Sequence, residues 1–240
     1  MAVSSIHDTG TVPNSVQSFS TAHELSEAQN ALLILHEILS QHQSGYTQGA
    51  GWMNHSNTLA FTTDLTNLDQ SLHLAEATRA QEFDTGLDPG VRSILHQVLE
   101  SVTVKVRMAL QAERATLFLV DRENSQLVSR IAHGAAGESI EIRIPLSTGI
   151  AGRVADSGEA MIVGDPYNHP DFHSEVDRST GYVTKSILCL PMFDRRESVF
   201  AVIQLINKVG SESFSAADKQ MLRNLAAPLG VLLRICAGLQ

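Results

Sequence analysis

Residues 115–132 read ATLFLVDRENSQLVSRIA, and this stretch decides the class of fold. It contains two apolar segments separated by the turn residues DREN, which is the pattern of two strands joined in a hairpin. Before Gln111 the apolar residues recur every three to four positions, as in helices, whereas after it they follow the period of strands. The chain therefore changes from helices to a sheet at this point.

Further strands are predicted after this hairpin. Residues 139–145 (SIEIRIP) alternate strictly between apolar and polar side chains, which is typical of a strand with one solvated face. Residues 161–164 are a short strand, and residues 186–193 and 198–207 form a second hairpin. Since helical patterns flank these strands, the sequence predicts an α+β fold with a six-stranded antiparallel sheet and an N-terminal helical extension.

Helical seams surround the predicted sheet. Asp88 and Pro89 occupy positions typical of a helix start, and another helix begins at Ala216. The segment 44–57 carries three glycines and is predicted to be a loop. The apolar seams are Leu25, Ala28, Leu32, Leu35 and Leu39; Phe61, Leu65, Leu68, Leu72 and Ala75; Val91, Leu95, Val98, Val102, Val106 and Ala109; and Leu222, Leu225, Leu229, Leu232 and Cys236.

The charges divide the chain into an acidic part and a neutral part. The formal net charge is −9, with 17 basic and 26 acidic residues. Residues 1–89 hold ten of the acids and a single base, Arg79, which leaves sixteen of each after residue 89. Nucleic acid and anionic membrane surfaces are unfavourable partners for such a chain, because both select clustered Lys and Arg. We expect a disordered N-terminus at 1–20, an acidic helical extension at 21–88 and a compact domain at 89–240.

Composition also bears on the compartment. No run of apolar residues is long enough to cross a membrane, and the N-terminal residues lack the pattern of a secretory signal. Cys189 and Cys236 both lie in apolar segments without metal-ligand spacing, which is usual in a reducing compartment. These observations predict a cytoplasmic protein.

Several motifs in the second part are specific to one family. They are LFLVD (117–121), RIPLSTGIAGRVADSGE (143–159), DPYNHPDFHSEVDRSTGY (165–182) and SILCLPM (186–192), in that order. Through them, residues 91–236 resemble a GAF domain, and the resemblance implies the GAF fold. Four positions match a five-position signature of members that bind cyclic nucleotides, found in mammalian phosphodiesterases and cyanobacterial adenylyl cyclases: Asn207, Lys208, Phe214 and Asp218.

The signature is expected to have a structural role. The resemblance implies that Lys208 pairs with Asp218 and fixes the last strand to the C-terminal helix. The fifth position is an acid in the family and is Lys219 here.

The resemblance also implies a set of ligand contacts. The helix that starts within residues 147–152 would offer backbone N–H groups to a cyclic phosphate, since helix starts bind anions. The alternative for residues 147–152 is an ordinary capped helix that binds nothing. The alternative for residues 177–184 is a solvated surface loop. The implied contacts are the backbones of Ile150 and Ala151; Asp177, Thr180 and Thr184 on the covering loop; Thr116 and Gln204 on the sheet; and Ala132 and His133, where other binders carry an aromatic residue and an acid.

Other chemistry is less well supported. His169 and His173 are the only closely spaced histidines in the covering loop, and no metal site is predicted from them. Cys189 precedes Leu190-Pro191 in an apolar strand, where a thiol normally packs, so no covalently held cofactor is predicted. No phosphate-binding or nucleophile motif of a known enzyme class is present in the sequence, and we expect no catalysis.

Two functions follow from these observations. The first is a regulatory domain that binds cAMP or cGMP under the loop at 165–184 and signals through its helices. The second is a GAF scaffold that binds no ligand and acts as a dimerisation or protein-interaction module. A homodimer formed through the helical seams, including residues 25–39, is expected in both cases.

Overall fold

A computed structural model describes residues 15–45, 89–132 and 142–237. The predicted seam at 61–75 and the predicted ligand residue His133 lie outside the described residues, as does most of the predicted loop at 44–57. The elements are α1 (Ser15–Gly45), α2 (Pro89–Ala109), β1 (Ala112–Asp121), β2 (Gln126–Ala132), β3 (Arg143–Pro145), α3 (Gly149–Ser157), β4 (Met161–Val163), a 3-10 helix (Pro166–Asn168), α4 (Glu175–Thr180), β5 (Ile187–Phe193), β6 (Val199–Lys208) and α5 (Ala216–Ala237).

The six strands form one sheet in the order β3-β2-β1-β6-β5-β4. Each neighbouring pair is antiparallel. The predicted α+β class and the six-stranded antiparallel sheet with flanking helices are therefore confirmed. Short turns join β1 to β2 and β5 to β6, as the two predicted hairpins require.

Helices cover both faces of the sheet, because the central strands β1 and β6 are apolar on both sides. Leu117 and Ile203 face one side and Phe118 and Val202 face the other, and all four are buried. The first face packs against α1, α2 and α5 in the larger apolar core. The second face packs against α3 in a smaller core that includes Ile150 and the residues beneath it.

The N-terminal helix packs onto the domain itself. α1 lies against α5 and α2, and its seam residues Ala28, Leu32, Leu35 and Leu39 are buried in the larger core. This part of the seam is therefore an intramolecular contact, although the sequence pattern predicted a contact between subunits. α5 packs against both the sheet and α1, so the apolar residues of α5, of α1 and of this face of the sheet are buried together.

Two element boundaries differ from the predictions. α1 begins at Ser15, so residues 15–20, for which the composition predicted disorder, are helical. The 165–184 segment was expected to be a loop, but it contains the 3-10 helix and α4. Glu175 and Asp177 lie in the first turn of α4, where negative charge favours a helix, and Gly181 ends it with φ +70.

No helix among the described residues is long and apolar enough to span a membrane.

The intramolecular role of α1 can be tested with two leucines that are two positions apart. Leu35 is 1% exposed and Leu33 is 68% exposed. We expect Leu35→Ala to lower the free energy of unfolding by about 2–5 kcal/mol, because it leaves a cavity in the core. Leu33→Ala should change it by at most about 0.5 kcal/mol. Urea denaturation followed by circular dichroism measures both, and equal effects of the two substitutions would contradict the packing of α1 described above.

Candidate functional site

A row of paired residues crosses the sheet on the face that α3 covers. Thr116 on β1 pairs with Ala132 on β2 and with Gln204 on β6, and Gln204 pairs in turn with Cys189 on β5. Directly paired residues of an antiparallel sheet point to the same face, and Cys189 belongs to the apolar core beneath α3. Thr116 and Gln204 therefore place two polar side chains side by side on an otherwise apolar surface.

The start of α3 lies over this face. Its N-cap residue is Thr148, whose side chain makes no capping hydrogen bond, and Ile150 and Ala151 in the first turn are buried. The first N–H groups of a helix have no partners within the helix, so they are available to an acceptor. A Cβ at Gly152 would lie 2.4 Å from the carbonyl oxygen of Leu146, so this glycine accommodates the chain's own backbone.

The 165–184 segment is held together by Asp177, whose side chain is 7% exposed. Its carboxylate accepts hydrogen bonds from the hydroxyl of Tyr167 (2.8 Å), from the backbone N–H of Thr184 (2.7 Å) and from the hydroxyl of Thr184 (2.9 Å). The hydrogen bond to Asp177 raises the pKa of Tyr167. Asp177 and Thr184, two of the predicted ligand residues, are thus partners of each other and join the two ends of the segment.

The C-terminal end of this segment is fixed to the sheet by Asn207. The Asn207 amide donates to the Glu113 carboxylate (2.9 Å), the Tyr182 hydroxyl (3.0 Å) and the Val183 carbonyl (2.9 Å). Its oxygen accepts the backbone N–H of Lys185 at 2.6 Å. Asn207 has φ +58, a conformation that asparagine adopts more readily than most residues. Its conformation and its hydrogen bonds both depend on this residue type.

Tyr182 completes the junction between segment and sheet. Its hydroxyl donates to Glu113 at 2.8 Å, and the guanidinium of Arg114 lies 3.7 Å from the centre of its ring. Burial, and then the hydrogen bond to Glu113, raise the pKa of Tyr182. The hydrogen bond from Asn207 is the largest influence on Glu113 and holds the pKa of that carboxyl below its usual value. Glu113 is therefore the charged acceptor and Tyr182 the neutral donor.

The next residue, Lys208, connects the sheet to α5. Its ammonium group lies 2.7 Å from the Asp218 carboxylate and donates to the Leu110 carbonyl at 3.0 Å, so the ion pair that the resemblance implies is present. Asp218 also forms a capping box with Ser215, in which each side chain accepts the other's backbone N–H. Phe214, buried beside them, has its ring centre 5.9 Å from the Lys208 ammonium.

Two further predicted site residues, Thr180 and Ala132, lie at the ends of their elements. Thr180 is the last residue of α4, and Ala132 ends β2 opposite Thr116. Sequence reasoning missed Tyr167, Glu113 and Tyr182, which hold the 165–184 segment in place. Tyr182 and Glu113 are 69 positions apart, and no local pattern links them.

The histidines of the 165–184 segment and Cys189 can also be located in the structure. No group of three or more His, Cys, Asp or Glu residues within the described ranges could hold a metal ion. In the 165–184 segment, the Nδ1 atom of His169 accepts the backbone N–H of Asp171. Cys189 is completely buried, and burial raises the pKa of its thiol, which suits packing better than covalent attachment.

The chain matches the family model described as GAF domain over residues 94–233, which is more than half of its length. The match extends from within α2 to near the end of α5 and includes all six strands.

Two curated relatives match 158 residues each. The dual 3',5'-cyclic-AMP and -GMP phosphodiesterase 11 of Drosophila melanogaster is 35% identical, over 60% of this chain and 11% of the relative. The probable 3',5'-cyclic phosphodiesterase pde-5 of Caenorhabditis elegans is 38% identical, over 59% of this chain and 21% of the relative. The chain thus spans about a tenth of the length of the first relative and about a fifth of the length of the second.

A solved structure agrees with the fold. The GAF domain from a phosphoenolpyruvate-protein phosphotransferase of Coxiella burnetii aligns with a TM-score of 0.53 and 19% identity, covering 73% of this chain and 95% of that one. At this identity the likeness supports the GAF fold alone.

The pair of Lys208 and Asp218 should give the domain a specific pH dependence. Burial on its own would raise the pKa of Asp218, but hydrogen bonds from Lys208 and Ser215 outweigh burial and lower it. As the pH falls, the unfolded state therefore binds the proton first. The stabilisation is present above the unfolded pKa of about 3.9 and is lost as the pH falls through the lower folded value.

We expect Asp218→Asn to destabilise the domain by about 1–3 kcal/mol at pH 7, and by less at pH 3. Denaturation of the variant and the wild type across this pH range measures the difference, with Asp156→Asn on the exposed side of α3 as the control. A difference that stays constant from pH 7 to pH 3 would show that the charge of Asp218 is unimportant.

Proposed function

The chain belongs to the GAF domain family, and we propose that it is a non-catalytic regulatory domain that binds a cyclic nucleotide, cAMP or cGMP. The ligand would lie between the sheet and the 165–184 segment. We also place the domain in the cytoplasm, in agreement with its two free cysteines.

The observation that carries the proposal is the pair of Thr116 and Gln204 on the face beneath α3. Thr116 is 7% exposed and Gln204 is partly buried. Polar side chains on a buried, mostly apolar surface are costly unless they have partners, and they are typical of pockets that orient a small polar ligand. In the proposal, Thr116 and Gln204 contact the base or ribose, and Ala132 and His133 are the further candidate positions for contact with the base.

The cyclic phosphate would bind at the start of α3. The backbone N–H groups of Ile150 and Ala151 are the proposed donors, since the positive end of the helix dipole favours an anion there. The Thr148 side chain makes no capping hydrogen bond to the first turn, so the ligand would not have to displace it. Both curated relatives are named as phosphodiesterases of cyclic nucleotides, which is consistent with this class of ligand.

The 165–184 segment would close over the ligand as one unit. Asp177 joins Tyr167 and Thr184 within the segment, and Thr180 on α4 would complete the contacts. A signal requires that the closed arrangement bind the ligand more tightly than the open one. Movement of the segment would reach α5 through Asn207 and then through Lys208 and Asp218.

Calorimetric titration with cAMP and cGMP tests the proposal, and two threonines provide a matched pair of variants. Thr116→Val removes one hydroxyl from the proposed site and should weaken binding by about 1–3 kcal/mol, the usual cost of a lost buried hydrogen bond. Thr103→Val removes a hydroxyl that is also buried but bonds the Leu99 carbonyl within α2, so affinity should be unchanged. Absence of binding heat with either nucleotide, together with an unchanged melting temperature, would refute the proposal.

A second proposal concerns self-association. Leu33 and Ile34 on the outer side of α1 are 68% and 51% exposed, while the seam on the inner side is buried within the chain. We propose that a homodimer forms through this outer side. The double substitution Leu33→Asp with Ile34→Asp should shift sedimentation toward the monomer without unfolding the domain. An unaltered sedimentation profile would count against a dimer of this kind.

A further inference from the structure

The turn between β5 and β6 is exposed to solvent. Residues 194–198 read DRRES, and Arg195, Arg196, Glu197 and Ser198 are all exposed. The turn is organised by Asp194, whose carboxylate accepts the backbone N–H groups of Arg196 (2.8 Å) and Ser198 (2.9 Å). Ser198 is thus an accessible serine held at a fixed place in a hairpin.

Three arginines lie around this serine. Arg195 and Arg196 precede it in the only Arg-Arg pair of the sequence. Arg122, from the turn between β1 and β2, donates to the carbonyl of Val199, the residue that follows Ser198. Arginine clusters of this kind bind phosphate oxygens through charge-assisted hydrogen bonds.

The same turn holds the N-terminal helix. Arg195 forms an ion pair with Glu27 of α1 at 2.5 Å. Glu27 also lies 3.7 Å from Arg234 of α5 and 3.5 Å from His23. Arg195 is 58% exposed and Arg234 only 11%, so Arg195 is the partner that is free to turn toward a new anion.

We propose that Ser198 is a phosphorylation site for a serine/threonine kinase that selects basic residues before its target. The modification would draw Arg195 away from Glu27 and so loosen α1. In the reaction, Oγ of Ser198 forms a bond to the γ-phosphorus of a nucleoside triphosphate. The bond from that phosphorus to the bridging oxygen breaks, the nucleoside diphosphate leaves, and the hydroxyl proton passes to the kinase's base.

The charges determine the direction of the effect. A phosphoserine carries a charge of about −1.5 to −2 and three acceptor oxygens. It would compete with the single charge of Glu27 for Arg195. Arg122, which already bonds the carbonyl of the next residue, and Arg196, two positions before Ser198, would be further candidates to bind it. It would also repel the carboxylate of Asp194, which weakens the turn that presents Arg195 to α1.

The first test is phosphorylation of the whole chain by the catalytic subunit of cAMP-dependent protein kinase with ATP, followed by mass spectrometry. We expect one phosphoryl group on Ser198, and none there in Ser198→Ala or in Arg195→Ala with Arg196→Ala. A synthetic peptide of residues 190–204 is the control for recognition of the sequence itself. Modification of the peptide but not of the folded chain would overturn the proposal, because it would show that the turn is inaccessible.

The second test measures α1 by hydrogen exchange. Phosphorylation should speed exchange in residues 23–41 about two- to fivefold, the equivalent of losing one exposed ion pair. Glu27→Gln should give a similar increase without phosphorylation, and phosphorylation of that variant should add little. If Ser198 is modified and exchange in α1 does not change, the proposed link to Arg195 is wrong. Neither test depends on whether the domain binds a cyclic nucleotide.

Discussion

The hydrogen bonds of Asn207 are the interaction on which the arrangement of the domain most depends. Asn207 is at the end of β6, the central strand that pairs with both β1 and β5. One carboxamide reaches Glu113 on β1, Tyr182 and Val183 after α4, and the backbone before β5. The following residue, Lys208, fixes α5. Asn207 and Lys208 thus connect the sheet to the 165–184 segment and to α5. A displacement of one of these elements would therefore act directly on the other two.

Burial of the sheet on both faces explains the rest of the architecture. Strands that carry Leu117, Phe118, Val202 and Ile203 need helices above and below them, and the chain provides α1, α2 and α5 on one side and α3 on the other. The two sides differ in their polarity. On the side of α2 the buried Thr103 hydroxyl is bonded within its own helix, whereas Thr116 and Gln204 lie in the sheet on the face that α3 covers. This difference is the reason that the proposed ligand site is placed on the α3 side.

Most of the fold could be predicted from the sequence, because it depends on local periodicity. The hairpin of β1 and β2, the strand β5 and the start of α5 at Ala216 all carry patterns that can be found within ten or twenty residues. The path of α1 could not be predicted, since a seam of Leu and Ala fits an intramolecular partner and a second subunit equally well. The helix at 175–180 was missed because it is only six residues long and its apolar pattern is weak.

The candidate site was predictable only in part. The family resemblance located Asn207, Lys208 and Asp218, and the structure gives each of them hydrogen-bonding partners. It also suggested Asp177 and Thr184 as ligand contacts, which stays a prediction, and it gave no sign that these two residues bind each other. Pairings of this kind depend on how distant segments approach, as between Glu113 and Tyr182, and no spacing in the sequence encodes them.

The packing of α1 has a practical consequence for choosing fragments of this protein. The family match begins at residue 94, yet the apolar core of the domain begins at Ala28. A fragment trimmed to the family match would expose the side of α5 that α1 covers. Large exposed apolar surfaces promote aggregation. Poor solubility of such a fragment would therefore reflect the missing helix and not a failure of the GAF fold.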